Sequence, residues 1–175
     1  MNLSVSEPLP PGVQRVTEVL AALGHPHAPV MLDDAARTAQ QAADALGVAL
    51  GQIAKSIIFR RKNHPSGDDA AVLVITSGDL RVDEKKVQAI VCAEGGKLGR
   101  ADADFVKAKT GFSIGGVSPL AHAEPPVTLI DDQLFRFDVI WAAAGHPHGV
   151  FRLSPDDLKR LIGAPVLDVT APPSP

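Results

Sequence analysis

Gln52-Ile53-Ala54-Lys55-Ser56-Ile57-Ile58-Phe59-Arg60-Arg61, followed after Lys62 by Asn63-His64-Pro65-Ser66-Gly67-Asp68-Asp69 and then by Ala70-Ala71-Val72-Leu73-Val74-Ile75-Thr76, reads as two strands around a hairpin loop. β-Branched and aromatic residues fill the outer runs. The middle concentrates Asn, Pro, Ser, Gly and Asp, which form turns through special φ values and local side-chain hydrogen bonds. Strands are expected over 54–61 and 70–76.

Outward from this hairpin, Val16, Val19, Leu20 and Leu23 repeat at helical spacing from Val13 on, and Gly24 with Pro26 ends that helix. Thr38 is placed to cap a helix over Ala39–Leu46 that stops at Gly47. Asp83–Cys92 and Ala101–Lys109 read as helices, the second ended by Gly111. Short strands are expected at 127–130, 139–143 and 150–153. A helix capped by Ser154 with Pro155 in its first turn follows, and then a last strand over 165–169. Helices mixed with hairpins do not alternate as a doubly wound nucleotide-binding sheet does, so the order points to an α+β protein. Gly24-His25-Pro26-His27 and Gly145-His146-Pro147-His148 match, but their flanks do not extend the match into a repeat.

With 175 residues and 45% hydrophobic side chains, the chain is expected to form a single domain over 13–170 between loose tails at 1–12 and 171–175. The net charge is -3, no apolar run is long enough to cross a bilayer, and Met-Asn-Leu-Ser-Val-Ser-Glu lacks a secretory pattern, so a cytoplasmic location without membrane contact is expected. Cys92, the only cysteine, rules out an internal disulfide and sits beside Ile90 and Val91 as a small apolar residue rather than a catalytic thiol. Tyrosine is absent and aromatics make up 4%, which argues against a broad base-stacking platform.

Thr110-Gly111-Phe112-Ser113-Ile114-Gly115-Gly116-Val117-Ser118-Pro119-Leu120 places glycines, small hydroxyls and proline where a core strand would carry bulk. Gly115 and Gly116 free the backbone for positive φ and for close approach of a ligand, and Pro119 stiffens the exit; a tight turn or bulge between strands is the plainer reading. Together with the lysine-bearing run at 52–61, this stretch resembles the Gly-Gly-[Val/Ile]-Ser-Pro loop of the YbaK/ProX family of aminoacyl-tRNA deacylases, editing domains associated with prolyl-tRNA synthetase. Thr128-Leu129-Ile130-Asp131, Ile140-Trp141-Ala142-Ala143-Ala144-Gly145 and Leu153-Ser154-Pro155-Asp156-Asp157-Leu158 resemble the family's following segments, in order, so the resemblance spans about 13–169.

The resemblance implies a mixed, largely antiparallel curved sheet, or partly closed barrel, surrounded by helices. It also implies a trans-editing hydrolase that removes a small wrong amino acid, such as Ala or Cys, from tRNA for proline. Lys55 matches the lysine that points into the family's active-site mouth. On a strand it shares a face with Ile57 and Phe59. Ser113, Gly115, Gly116, Val117, Ser118 and Pro119 are implied as substrate-binding residues, with Ile57 beside Lys55 and with His146 in the glycine turn that borders the family's pocket. The ester of an aminoacyl-tRNA is already activated, so positioning and an electrostatic group suffice, and neither a covalent intermediate nor a cofactor is expected. The expected partners are the aminoacyl-tRNA acceptor end and prolyl-tRNA synthetase.

Proline inside each His-Pro-His marks a turn, and no Cys or ordered carboxylate set completes a metal site, so no metal is expected; His25 and His27 are assigned to a surface turn, and His64 and His122 carry no signal. Arg60-Arg61-Lys62, Lys85-Lys86 and Lys97 with Arg100 are basic clusters that read first as solvated surface. The acidic net charge excludes a general nucleic-acid binder but leaves a local contact with an acceptor end open. A non-catalytic tRNA- or protein-binding module with the same fold is the first alternative. A DNA-binding regulator, for which no basic recognition helix is present, is the second.

Overall fold

Helix α1 (Pro11–Ala22) is followed by strand β1 (Val30–Met31), helix α2 (Ala39–Leu46) and the hairpin of β2 (Ile53–Lys62) and β3 (Ala70–Ser77). Next come β4 (Arg81–Val82), α3 (Glu84–Val91), β5 (Lys97–Arg100) and α4 (Ala103–Thr110). Strands β6 (Val127–Asp131), β7 (Ile140–Ala143) and β8 (Gly149–Leu153) precede α5 (Pro155–Ile162), β9 (Val166–Leu167) and β10 (Thr170–Ala171). The structure, a computed structural model, describes residues 8–33 and 36–172. The tail expected over 1–12 therefore lies outside the described residues for 1–7, as does the end of the second tail at 173–175.

The hairpin at residues 54–76 forms the centre of the sheet, with Ala54 opposite Ser77 and Arg61 opposite Ala70. Among the described residues an eight-stranded sheet has the order β1-β8-β7-β2-β3-β6-β9, with β5 also paired to β2. The pairs β2–β3, β2–β5, β7–β8 and β1–β8 are antiparallel. The pairs β2–β7, β3–β6 and β6–β9 are parallel. This is the mixed sheet of an α+β protein, with β1 and β9 at the two ends of the order.

Side-chain alternation on the central strands splits the core in two. Leu73 and Ile75 of β3 join Ala54, Ile130, Phe105, Val16, Leu20 and Leu158 on one face, which α1, α4 and α5 cover. Val72 and Val74 join Phe59, Leu129, Val87 and Val91 on the other, under α3. Covering both faces explains why the run from Ala71 to Ile75 is continuously apolar instead of alternating.

The capping signals act as expected. Thr38 Oγ1 accepts from Gln41 N at 3.1 Å while Thr38 N donates to the Gln41 side chain, and Ser154 Oγ accepts from Asp157 N at 3.0 Å. The first helix begins at Pro11 rather than Val13, with proline in its first turn.

Two expectations are corrected. The last strand is not continuous over 165–169: Val166 and Leu167 pair with β6, whereas Thr170 and Ala171 turn to β4. Fully buried Asp131 holds the crossing point, accepting from Val169 N at 3.0 Å and from Thr170 Oγ1 at 3.0 Å. Asp131→Ala is expected to lower unfolding free energy by roughly 1–3 kcal/mol for each buried donor it orphans, and urea unfolding measures the loss. Second, His25 is not on a surface turn. It is 8% exposed, packs edge-on to Phe151 and hydrogen bonds to Arg152 O at 2.8 Å, whereas His27 is exposed.

Candidate functional site

The sheet leaves an opening at one edge of its central strand. β3 occupies one edge of β2 along its length. On the other edge β7 pairs only with Ile53 and Ala54, and β5 only with Phe59 to Lys62. Between them, Lys55 to Ile58 have no strand partner on that edge among the described residues, and a cleft of about 150 Å³ lies there. Lys55 and Ser56 line it beside Gly115 and Val117; Arg37 and Thr38 from the start of α2, and Trp141 and Pro147, complete the walls.

The Lys55 ammonium is half-buried at a polar corner. Its Nζ stands 3.4 Å from Leu80 O. Burial holds its pKa below the usual lysine range, Asp79 opposes that shift, and Arg81 adds to it. Asp79 is itself clamped by Arg136, with contacts of 2.9 and 3.3 Å, and these hold its carboxyl below the usual carboxylate range. Arg136 also reaches Ser77 Oγ at 2.9 Å, and that hydroxyl donates to Gly51 O, so one network ties the start of β2 to the turn that faces Lys55. Among the described residues Ser56 Oγ is buried without a hydrogen-bond partner at the same edge.

The Gly-Gly loop is anchored at both ends. Gly111 ends α4 at φ 82°, Phe112 plugs the core at 1% exposure, and Phe112 N donates to Thr110 Oγ1. Downstream, His122 Nε2 lies 2.6 Å from Ser118 O, and its ring packs edge-on to Phe112. Burial lowers the His122 pKa, which keeps the imidazole neutral as a prop for the loop. Sequence reasoning gives His122 no part here.

Of the residues singled out in the sequence, the cleft brings together Lys55, Gly115 and Val117. Ser113 and His146 line an adjoining depression instead. Gly116 backs onto the His146-Pro147 turn rather than facing the cleft. Ser118 is fully buried, its Oγ accepting from Leu120 N, so it does not supply the polar lining expected of it. Pro119 borders a separate depression with His122, and Ile57 packs against the core under α3. Arg37, Thr38, Ser56 and Pro147 line the cleft with Lys55 and are not among the site residues expected from the sequence, whose only signals for them are Thr38 as a helix cap and Pro147 within the His-Pro-His turn.

Three residues of the basic clusters are engaged in the fold. Arg60 pairs with Asp69 at 2.8 Å and lies over Phe105, Arg61 donates to Val91 O, and Lys86 pairs with Asp168. Burial raises the Cys92 thiol pKa, with Arg61 opposing, which disfavours the thiolate. The His146 and His148 rings stand 5.3 Å apart, and His146 Nδ1 accepts from His148 N. Among the described residues no group of three or more His, Cys, Asp or Glu is placed to hold a metal ion, and no helix is long and apolar enough to cross a membrane.

Known proteins share this fold. A crystal structure of a candidate trans-editing enzyme for prolyl-tRNA synthetase superposes with a TM-score of 0.84 at 37% identity, covering 94% of this chain and 99% of that one. The uncharacterized protein YwhH of Bacillus subtilis (strain 168) is 34% identical over 122 residues, which are 70% of this chain and 73% of YwhH. A proline–tRNA ligase of Leuconostoc citreum (strain KM20) is 31% identical over 109 residues, 62% of this chain but 17% of the ligase. The aminoacyl-tRNA editing domain matches residues 33–161, a span that holds the cleft, Lys55 and the Gly-Gly loop, and the chain belongs to that family.

Proposed function

We propose that the chain hydrolyses the ester of mischarged tRNA in trans, its preferred substrate being tRNA for proline that carries a small wrong amino acid. The observation that carries this reading is the cleft at the open edge of β2, which Lys55, with its half-buried ammonium, and Gly115 line together. Its volume of about 150 Å³ is that of a cavity able to hold a benzene-sized ligand. An alanyl group is no larger, whereas the terminal adenosine has to stay outside. Ile53, Ala54, Val117 and Val150 supply apolar walls for a small side chain.

In the proposed reaction, water adds to the ester carbonyl carbon and the bond to the ribose oxygen breaks. The amino acid leaves as the free acid, and the water's second proton passes to the released ribose oxygen, which becomes a hydroxyl. Lys55 stabilises negative charge on the carbonyl oxygen or fixes the terminal phosphate, and the loop backbone fixes the ester. A strong nucleophile is unnecessary, because the gain comes from orientation and a preorganised charge. Prolyl-tRNA synthetase is the proposed source of the substrate.

A panel of tRNAs for proline and for alanine, each carrying Ala, Cys, Ser, Thr or Pro, tests the reading. Rapid release of one small amino acid from tRNA for proline is expected, with correctly charged prolyl-tRNA spared. Binding without release of any amino acid would favour the non-catalytic module. Apparent affinity is expected to fall with salt at a slope equivalent to about two to four neutralised phosphates, and a far steeper slope would indicate a general nucleic-acid binder.

A further inference from the structure

Next to the Lys55 cleft lies a second cleft, of about 320 Å³, whose walls are basic. Arg15 from α1, Lys107 from α4 and His146 from the β7–β8 turn line it together with Ser113, and among the described residues no Asp or Glu lines it. Arg15 makes no ion pair or hydrogen bond among the described residues. Its guanidinium lies 5.4 Å from the centre of the Phe112 ring, which holds the charge in place without neutralising it. Lys107 Nζ donates to Gly111 O at 3.0 Å and has protons to spare. This contrasts with Arg60 and Lys86, whose charges are met by carboxylates.

The two clefts share structure. Ser113 lines the basic cleft and Gly115 the other, so the tip of the Gly-Gly loop lies between them. His146 and Pro147 divide in the same way across one turn. The basic wall is also fixed relative to that turn: a Cβ on Gly12 would collide with Gly145 O, so the start of α1 touches the turn backbone to backbone.

We infer that this basic cleft is a subsite for the phosphodiester backbone of the RNA strand whose aminoacylated end enters the Lys55 cleft. A phosphate there meets the Arg15 fork and the Lys107 ammonium, with the Ser113 hydroxyl and the His146 ring at its rim. Such contacts set position and carry no base sequence. The subsite rests on the proposed deacylation reading for the identity of the strand, and it explains how an acidic chain takes hold of RNA locally.

Arg15→Gln, Lys107→Gln and the double variant test it, with Lys159→Ala/Arg160→Ala removing two charges from α5 as a control. With aminoacylated tRNA, each single change is expected to raise KM about tenfold with kcat held, and the double variant to flatten the salt slope by about two phosphates. With an aminoacyl-adenosine that lacks any phosphodiester, the same variants are expected to match wild type. Unchanged KM on tRNA in the double variant, a loss equal to that of the α5 control, or an equal loss on aminoacyl-adenosine would each overturn the subsite while leaving deacylation standing. If wild type hydrolyses neither substrate, the proposed reaction falls. Binding of a fluorescent CCA-ended RNA hairpin then decides the subsite alone: weakening confined to the Gln variants supports it, and equal binding overturns it.

Discussion

Lys55→Ala is expected to reduce single-turnover deacylation at least about a hundredfold, the size of loss that follows removal of a preorganised electrostatic group, while leaving the melting temperature unchanged or slightly raised. The stability half of this expectation follows from the direction of the lysine's shift. Burial lowers its pKa in the folded state, so folding weakens its hold on the proton and the charged form opposes folding at neutral pH. That penalty is present in full below the folded pKa and fades as pH rises through it and on to the unfolded value. Alanine removes the penalty and leaves Asp79 with its Arg136 partner. The activity ratio of wild type to variant should accordingly shrink on the alkaline side earlier than an exposed lysine would dictate. Equal rates at saturating enzyme would remove Lys55 from the reaction, and a large fall in melting temperature would reassign it to the fold.

The parts of the molecule that a linear reading reaches are those whose cause is local. Caps at Thr38 and Ser154 and the hairpin at residues 54–76 follow from side-chain chemistry within a few positions. β5 escapes such a reading, because Lys97-Leu98-Gly99-Arg100 has neither alternation nor β-branched residues; pairing with the far half of β2 makes it a strand. The last strand looks continuous because nothing near it in sequence announces that Asp131, far upstream, takes the Val169 N–H.

The same limit applies at the site. Alternation puts Ile57 with Lys55, which is true of the strand but not of the cleft, because the cleft opens at an unpaired edge and not over one face. Consecutive residues Ala54, Lys55 and Ser56 therefore all reach it. Arg37 and Thr38 arrive through tertiary packing of α2, which no periodicity records. Lys55 and Gly115 are legible through motif resemblance, and the direction of Ser118 is not, since a hydroxyl after a glycine pair suits either a pocket wall or a buried turn.

The two glycines of the loop should respond to one added methyl group in different ways. Gly115 has φ 89° and nothing within 4 Å of where a Cβ would stand, so alanine there meets a backbone penalty of about 1–2 kcal/mol and no collision. Its methyl group would stand at the cleft, and a loss of about tenfold in deacylation is expected from obstructed approach of the ester. Gly116 has no such φ, yet its Cβ would lie 2.7 Å from His146 C, 2.8 Å from His146 Cα and 2.9 Å from Pro147 N. Backbone cannot swing aside as a flexible side chain does, so Gly116→Ala has to part the loop from the turn. Those are two walls of the same cleft, since Gly115 and Val117 flank the substituted residue and Pro147 lies opposite. Displacing positioning groups by about 1 Å costs on the order of a hundredfold in rate. The expected result is a fall in both melting temperature and single-turnover rate for Gly116→Ala, the rate loss persisting well below the melting transition, and a smaller loss of each for Gly115→Ala. If both variants lose stability yet deacylate at the wild-type rate when folded, the loop is a turn that shapes the fold, and the ester is held elsewhere.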